Sequence, residues 1–141
     1  MKCLLIFGLI LSVSVLPEIA QAASVQTFPI NEAISRNIDG CGYQYTSLSD
    51  FQAKPNEAKA FIFVNDGEKG LIKIEGQFIV MSSADNEGRG TYESSDHKVR
   101  VEPHSQIGPK LSDELWVVDG TLTFIINGHS QTIPIKGYMG C

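Results

Sequence analysis

Basic residues are scarce in this chain of 141 residues, in which 11 Lys and Arg are outnumbered by 16 Asp and Glu. The formal net charge of -5 argues against a nucleic-acid partner, because phosphate backbones are bound by clusters of Lys and Arg. Charged residues make up only 19% of the chain and hydrophobic residues 43%, a globular rather than a disordered composition. We expect an acidic folded protein whose charge favours a basic partner.

Long apolar runs are absent after the first residues. Lys2 is followed by the run Leu4–Leu16, which is apolar apart from one glycine and two serines, and then by the small-x-small site Ala20-Gln21-Ala22. This arrangement is typical of a secretory signal peptide, and the run is shorter than the roughly 20 residues that span a bilayer. We predict a signal peptide at 1–22, a single β-domain at 23–141 with no transmembrane segment, and a periplasmic or secreted location.

Cysteine is rare as well. Of the three cysteines, Cys3 lies in the predicted signal peptide, which leaves Cys41 and Cys141. The alternatives of a redox pair or a metal site lack a C-x-x-C spacing and a histidine-rich partner set. In an oxidising compartment an even pair favours a disulfide. We predict a Cys41–Cys141 bridge, whose loop of about 100 residues would stabilise the domain by up to roughly 4 to 5 kcal/mol.

The apolar residues recur mostly with a period of two rather than 3.6. Lys98–Glu102 alternates strictly, and Asn65-Asp66-Gly67 and Glu75-Gly76 separate β-branched runs as hairpin turns do. A single helical turn after Pro29, capped by Asn31, is the main helical signal. We predict an all-β fold, an antiparallel β-sandwich or small barrel of about eight short strands, with at most one or two single-turn helices near the N-terminus.

The C-terminal third contains two further turn dipeptides, Asp119-Gly120 and Asn127-Gly128. As two-residue hairpin loops they would pair Leu122 with both Val117 and Ile133. That register places Trp116 on the outer face of the sheet. The preceding segment, residues 102–112, contains two prolines and is predicted to be a rigid loop. Pro134 indicates that the last strand is an edge at that point.

Recognisable catalytic motifs are absent, so enzymatic activity stays uncertain and we expect no cofactor. His97 and His104, with Asp96 and Glu102 nearby, are weak candidates for a zinc or copper site, and an exposed strand with polar flanks is the favoured alternative. Two acidic glycine-containing segments have oxygen ligands that calcium prefers, but hairpin turns explain them better. They are Asn65–Glu68 and Asp85–Gly88.

Aromatic residues supply the best binding candidates. Trp116, together with Tyr92, Tyr43 and Tyr45, could stack on sugar rings or anchor a protein partner, and burial under a loop is the structural alternative for the tryptophan. We name Trp116, Tyr92, Arg89 and His104 as predicted binding residues. His104 lies in the predicted rigid loop 102–112, and loops commonly carry recognition.

The segment Gly88-Arg89-Gly90-Thr91-Tyr92-Glu93 is similar to the small-residue-then-tyrosine loop of the c-type lysozyme inhibitors. The likeness covers six residues, and the chain lacks that family's small residues before the arginine and its second motif near the C-terminus. The resemblance implies an inhibitor of an extracellular hydrolase such as lysozyme.

Together these features predict a secreted or periplasmic, non-enzymatic binding protein that presents loops on a disulfide-stabilised β-scaffold to a protein or glycan. The alternatives are a small hydrolase or metal-binding protein that uses His97 or His104, and a structural protein that adds its last strand to a surface assembly.

Overall fold

The computed structural model describes residues 23–39, 41–54, 57–84 and 90–141. The predicted signal peptide, Arg89 and the Asp85–Gly88 segment lie outside them. The described residues form one short helix and nine strands: β1 (Val25–Gln26), α1 (Ile30–Ile34), β2 (Gly42–Ser47), β3 (Phe63–Asn65), β4 (Lys69–Ile74), β5 (Gln77–Ser83), β6 (Tyr92–Glu93), β7 (Val99–Ser112), β8 (Leu115–Ile126) and β9 (His129–Gly140). None of the helical segments in these ranges is long and apolar enough to cross a membrane.

All strand pairs are antiparallel, and they close into a barrel. The sheet order is β1-β4-β3-β2-β9-β8-β7-β6-β5, and an additional pairing of β4 with β5 joins the two ends. Strands β2 to β9 therefore form an eight-stranded closed barrel, and β1 is an extra strand on β4. Closure removes most of the open edges that a sheet would expose. The prediction of an all-β barrel is confirmed.

Three of the predicted turns are confirmed. Gly67, between β3 and β4, has a φ of 93°, and the pairs Glu75-Gly76 and Asn127-Gly128 both have positive φ, with values of 49° and 80° in the first pair and 51° and 82° in the second. Turns of type I′ need positive φ at both central residues, and their twist matches that of the strands they join. The sequence at these positions therefore determines where the chain reverses.

The predicted turn at Asp119-Gly120 is wrong. These residues lie inside β8, which runs for 12 residues, and residues 102–112 belong to the 14-residue strand β7 rather than to a loop. Leu122 does pair with Ile133, but Val117 pairs with Tyr138. Glycine is needed at 120 for another reason, because a Cβ there would overlap the backbone carbonyl of His104 on β7.

The helix begins two residues earlier than predicted. Pro29 is the N-cap residue, with an extended backbone and no side-chain capping bond, so Asn31 lies within the helix instead of capping it. The five-residue helix packs Ala33 against the outside of the barrel, in the outer of two apolar clusters.

The barrel has an inner core and an outer core. The inner core fills the barrel and contains most of the inward-facing apolar residues, among them Phe63, Leu122 and Phe124. The outer core lies between the barrel wall and the N-terminal segment that crosses it, and it includes Val64 and Tyr138. Burial on both faces explains why residues 61–65 read as a continuous apolar run instead of an alternating one.

The predicted disulfide is present. Cys41 and Cys141, 100 positions apart in sequence, are joined just before β2 and just after β9, which are neighbours in the barrel. The bridge therefore fastens the first strand of the barrel to its last. Pro134 lies immediately before the stretch in which β9 pairs with β2, Ile135–Gly140, so that the N-terminal half of β9 is paired through β8 alone.

Candidate functional site

The two ends of the barrel interior differ in composition. At the end that contains the Glu75-Gly76 and Asn127-Gly128 turns, the inward residues are aliphatic or phenylalanine and are buried, for example Ile74, Phe124 and Ile126. We call this the packed end. At the opposite end, where β2 begins and β9 finishes, several inward residues carry hydroxyl or amide groups, among them Tyr43, Asn65 and Ser105. We call this the open end.

The open end contains a cavity of about 320 Å³. Such a volume lies at the lower limit of small-molecule binding pockets, which are roughly 300 to 1,000 Å³. Strand alternation and the pairing register place the side chains of most lining residues on the inner face of the barrel. The cavity is lined by Tyr43, Tyr45, Asn65, Gly90, Tyr92, Pro103, His104 and Ser105.

The cavity exists because two neighbouring strands separate. Strand β6 pairs with β7 only through Tyr92–Val101 and Glu93–Arg100. The next residue of β7 that faces inward is Pro103, which has no N–H to donate to a strand on that side. Among the described residues, Gly90 and Pro103 therefore line the cavity without pairing across it.

Stacked aromatic rings form one wall of the cavity. The ring centroids of Tyr43 and Tyr45 are 5.7 Å apart with an interplanar angle of 15°, and Tyr45 stacks in turn on Phe63 at 6.3 Å. Phe63 meets the Tyr92 ring edge-on at 5.2 Å. Contacts between successive rings fix their orientations, so this wall is rigid. Tyr43, at the outer end of the stack, is only half-buried.

Two polar groups in the cavity are held in place by hydrogen bonds. The Tyr45 hydroxyl lies 3.1 Å from Ser105 Oγ, and either oxygen can donate. Burial raises the pKa of Tyr45 well above its usual value, so this hydroxyl stays protonated. Asn65 Oδ1 accepts the backbone N–H of Gly67 at 3.3 Å, which orients the amide and leaves its NH₂ group on the other side.

The structure places only some of the predicted binding residues at the cavity. Tyr92 is in the cavity wall, and His104 borders the cavity at the strand edge, although alternation points its side chain to the outer face, where it is exposed. Arg89 lies outside the described residues, next to Gly90 of the lining. Tyr43 and Tyr45 lie with Tyr92 in the cavity lining, so these three residues of the predicted aromatic surface come together.

The predicted outer position of Trp116 is wrong. Because β8 is continuous through Gly120, Trp116 shares the inner row of the strand with Val118 and Leu122. It pairs with Met139 near the open end and is half-buried, and the ammonium group of Lys110 lies 5.5 Å from its ring centroid. The segment predicted as a covering loop, residues 102–112, is part of strand β7 and pairs with β8.

The weak metal candidates do not converge in the structure. His97 is exposed, and its Nδ1 lies 3.3 Å from Glu93 Oε2, while Glu102 binds Arg100 at 3.1 Å. Asp96 accepts the Ser94 hydroxyl at 2.6 Å, and this bond, with that from the Lys98 N–H, lowers the pKa of its carboxyl. Within the described ranges, no three His, Cys, Asp or Glu side chains lie together as ligands for a metal ion.

The Asn65–Glu68 loop also uses its oxygens internally. Asp66 Oδ1 accepts the backbone N–H groups of Glu68 at 3.0 Å and Lys69 at 2.7 Å. These bonds, with that of Asn65 to Gly67, are the pattern by which Asx side chains stabilise a turn. The loop's role is to close the β3–β4 hairpin beside the cavity.

A second, shallower depression lies on the outside of the barrel beside the disulfide. It has a volume of about 960 Å³ and lies between α1, the segment before β3 and the tip of the β7–β8 hairpin. Its lining combines exposed apolar side chains such as Ile34 with the carboxylates of Asp113 and Glu114.

Comparison with known proteins adds no information on the fold or the site. No protein-family model matches the chain, and neither a curated protein nor a solved structure shows significant similarity to it. The chain forms an antiparallel eight-stranded barrel with one packed end and one open, tyrosine-lined end.

Sequence reasoning missed two polar side chains of the cavity, those of Asn65 and Ser105. Asn65 was assigned to a turn, and Ser105 to a loop, so neither was considered as an inward-facing group. The available signal was the alternation Tyr43-x-Tyr45, which places two tyrosines on one face of β2. Two aromatic hydroxyls on an inner face indicate an interior that is not wholly apolar.

Proposed function

We propose that this chain is a non-enzymatic binding protein that takes up part of a glycan at the open end of its barrel. The observation that carries the proposal is the cavity of about 320 Å³, whose wall combines stacked tyrosine rings with hydroxyl and amide groups. Aromatic faces pack against the C–H face of a sugar ring, and the polar groups satisfy its hydroxyls.

The shape of the site favours a glycan over a flat protein surface. Protein interfaces of ordinary size bury about 800 Å² on each partner and are nearly planar. A concave site with room for about one ring instead suits a small unit projecting from a larger molecule. The hydrolase-inhibitor possibility suggested by Gly88–Glu93 would need an inserted side chain, and it is retained as an arm of the test.

Catalysis is not the preferred interpretation, because the Tyr45 and Ser105 hydroxyls bond to each other. A nucleophilic serine needs a general base within hydrogen-bond reach. Ser105 Oγ instead bonds to the Tyr45 hydroxyl, and burial makes that tyrosine a poorer proton donor and leaves it without a charge to act as a base. The ion pairs of Glu93 and Glu102 lie on the outer face of the barrel.

A periplasmic or secreted location forms part of the proposal. It is supported by the predicted signal peptide and by the disulfide, which persists in oxidising compartments. In that setting the available glycans are those of cell walls, surface polysaccharides and glycoproteins.

The direct test is to probe the oxidised protein on a glycan array and, in parallel, against immobilised lysozymes. We expect selective glycan signals that are lost in Tyr43→Ala. The matched control is Val80→Ala, which truncates a side chain that is 46% exposed on β5, far from the cavity lining.

Three outcomes would contradict the proposal: no retained glycan, equal binding by Tyr43→Ala and the original protein, or tight binding to a lysozyme alone. The last outcome, if weakened by salt, would point instead to an inhibitor steered by the negative charge of the chain.

A further inference from the structure

The depression beside the disulfide has one apolar wall, which comes from α1 and the segment before β3. Ile30 and Ile34 are four positions apart and therefore lie on one side of the helix, while Ala33 packs into the outer core. Ile34 is 57% exposed, and Phe61 of the same lining is almost completely buried. The helix thus adds an exposed isoleucine to an apolar wall that a partner could cover with a gain in free energy.

The other wall of the depression is acidic. It is the tip of the β7–β8 hairpin, which carries Asp113 and Glu114. The Asp113 side chain is fully exposed, and the Lys110 ammonium group lies 4.0 Å from its Oδ1. An exposed ion pair at that distance contributes little, so a cation of a partner can replace Lys110. A third carboxylate, that of Asp39, accepts the backbone N–H of the lining residue Cys41 at 3.2 Å.

The acidic wall is held in place by the backbone next to the disulfide. The N–H of Cys141 donates to the carbonyl of Glu114 at 3.2 Å. Gly140 permits this approach, because a Cβ there would overlap the same carbonyl. Cys141 is in turn bonded to Cys41, which directly precedes β2. A wall that is ordered before binding reduces the entropy that a partner loses on docking.

We infer that the depression beside the disulfide binds a short segment of another protein that is both basic and apolar. Large apolar side chains of the segment cover Ile34 and its wall, and Lys or Arg side chains pair with Asp113 and Glu114. Charge complementarity selects this occupant, because an acidic peptide or an anionic membrane surface would meet the carboxylates with like charge. The inference goes beyond the proposed function and concerns a second surface.

The test selects peptides from a library of random dodecapeptides displayed on phage, with the immobilised oxidised protein as the target. We expect the enriched peptides to combine Lys or Arg with large apolar residues. The most enriched peptide, once synthesised, should shift the amide signals around Ile34, Asp113 and Leu115 in the isotope-labelled protein. Its affinity should fall as salt is raised, because the carboxylates that it pairs with are exposed to solvent.

Variants connect the peptide to the two walls. Ile34→Ala should weaken its binding about five- to tenfold, through lost apolar contact. Glu114→Gln should weaken it about two- to fivefold, and the addition of Asp113→Asn should weaken it further. The matched control is Glu75→Gln at the exposed β4–β5 turn, which makes the same change in net charge and should alter the affinity less than about twofold.

Three results would overturn the inference: no enriched peptide, enriched peptides that are acidic or lack apolar residues, or binding that Ile34→Ala and Glu114→Gln both leave unchanged. Sedimentation adds a fourth. If the protein alone is a dimer and Ile34→Ala makes it a monomer, a second copy of the chain occupies the depression instead. A blank glycan array would contradict the proposed function alone, since the two sites share no lining residue in the described part of the chain.

Discussion

The packed end and the open end of the barrel are made by the same strands, yet they are specialised in opposite directions. At the packed end, inward positions carry aliphatic side chains and phenylalanine, which bury apolar surface and contribute stability. At the open end, the inward positions of β2, β3 and β7 carry Tyr43, Asn65 and Ser105, which contribute less to the core. The difference teaches that one continuous sheet can place a close-packed apolar core at one end and a cavity with polar groups at the other.

The largest expected effect comes from breaking the packed end. Phe124→Ala should destabilise the fold by about 3 to 5 kcal/mol, because the side chain is 1% exposed and its removal leaves a cavity. Urea unfolding followed by circular dichroism measures the change. Ile34→Ala, at a side chain 57% exposed, should stay within about 0.5 kcal/mol. A loss of unfolding free energy below about 1 kcal/mol for Phe124→Ala would contradict close packing at this end of the barrel.

The disulfide supports the open end from outside. The double variant Cys41→Ser/Cys141→Ser should lose about 2 to 4 kcal/mol, since the loop it closes spans 100 positions. Thermal unfolding without reductant measures the loss. The original protein in reductant serves as the control and should show the same lowered midpoint. An unchanged midpoint in either sample would mean that the β2–β9 pairing alone holds the chain ends.

A smaller, pH-dependent effect is expected at Tyr45. Its pKa is raised in the folded state, so the stability it contributes is complete below pH 10 and is lost as the pH rises further, where the unfolded chain ionises first. Tyr45→Phe should cost about 1 kcal/mol at pH 7, through the lost bond to Ser105. Above pH 10 the stability of Tyr45→Phe should fall less steeply with pH than that of the original protein. The two slopes should differ by up to about 1.4 kcal/mol per pH unit.

Urea unfolding at intervals from pH 7 to 11 compares the two slopes. Ser105→Ala is the matched control, because it removes the same hydrogen bond and keeps the ionisable tyrosine. Equal slopes for Tyr45→Phe and the original protein would show that the hydroxyl is solvated rather than buried.

The smallest stability effect is expected at Tyr43. Tyr43→Ala should cost about 1 kcal/mol or less, because the ring is half-buried and makes one stacking contact, yet it should abolish ligand uptake. Thermal unfolding and glycan binding on the same sample separate the two properties. A stability loss comparable to that of Phe124→Ala would remove the distinction between the two ends.

Local turn chemistry made most of the fold predictable. Asn127-Gly128 and Glu75-Gly76 require positive φ, and their positions fixed the hairpins around them. The strict alternation in Lys98–Glu102 likewise marked the first part of β7. The cysteine count and the oxidising context together predicted the bridge.

The errors came from residues whose role is tertiary. Asp119-Gly120 has the composition of a turn, but glycine is required at 120 by the close approach of the His104 carbonyl. That one misassigned turn moved Trp116 to the wrong face in the prediction, because side chains alternate between the two faces of a strand. Pro103 and Pro109 made most of β7, residues 102–112, look like a loop, although proline is tolerated where a strand has a partner on one side only.

The candidate site was harder to predict than the fold. Its aromatic members, Tyr43, Tyr45 and Tyr92, could be named as a surface, but their convergence depends on barrel closure and on the short β6. Asn65 and Ser105 come from segments far apart in the sequence, and only the register brings them to one level of the barrel.

The most direct test of the division between the two ends is a map of where small neutral probes bind the protein, obtained from amide chemical shifts with a mixture of simple sugars and alcohols. We predict that the shifts concentrate at Tyr43, Asn65 and Ser105 and leave the residues around Phe124 unchanged. Shifts concentrated at the packed end or in the depression beside the disulfide, or no localised shifts, would contradict the assignment of recognition to the open end.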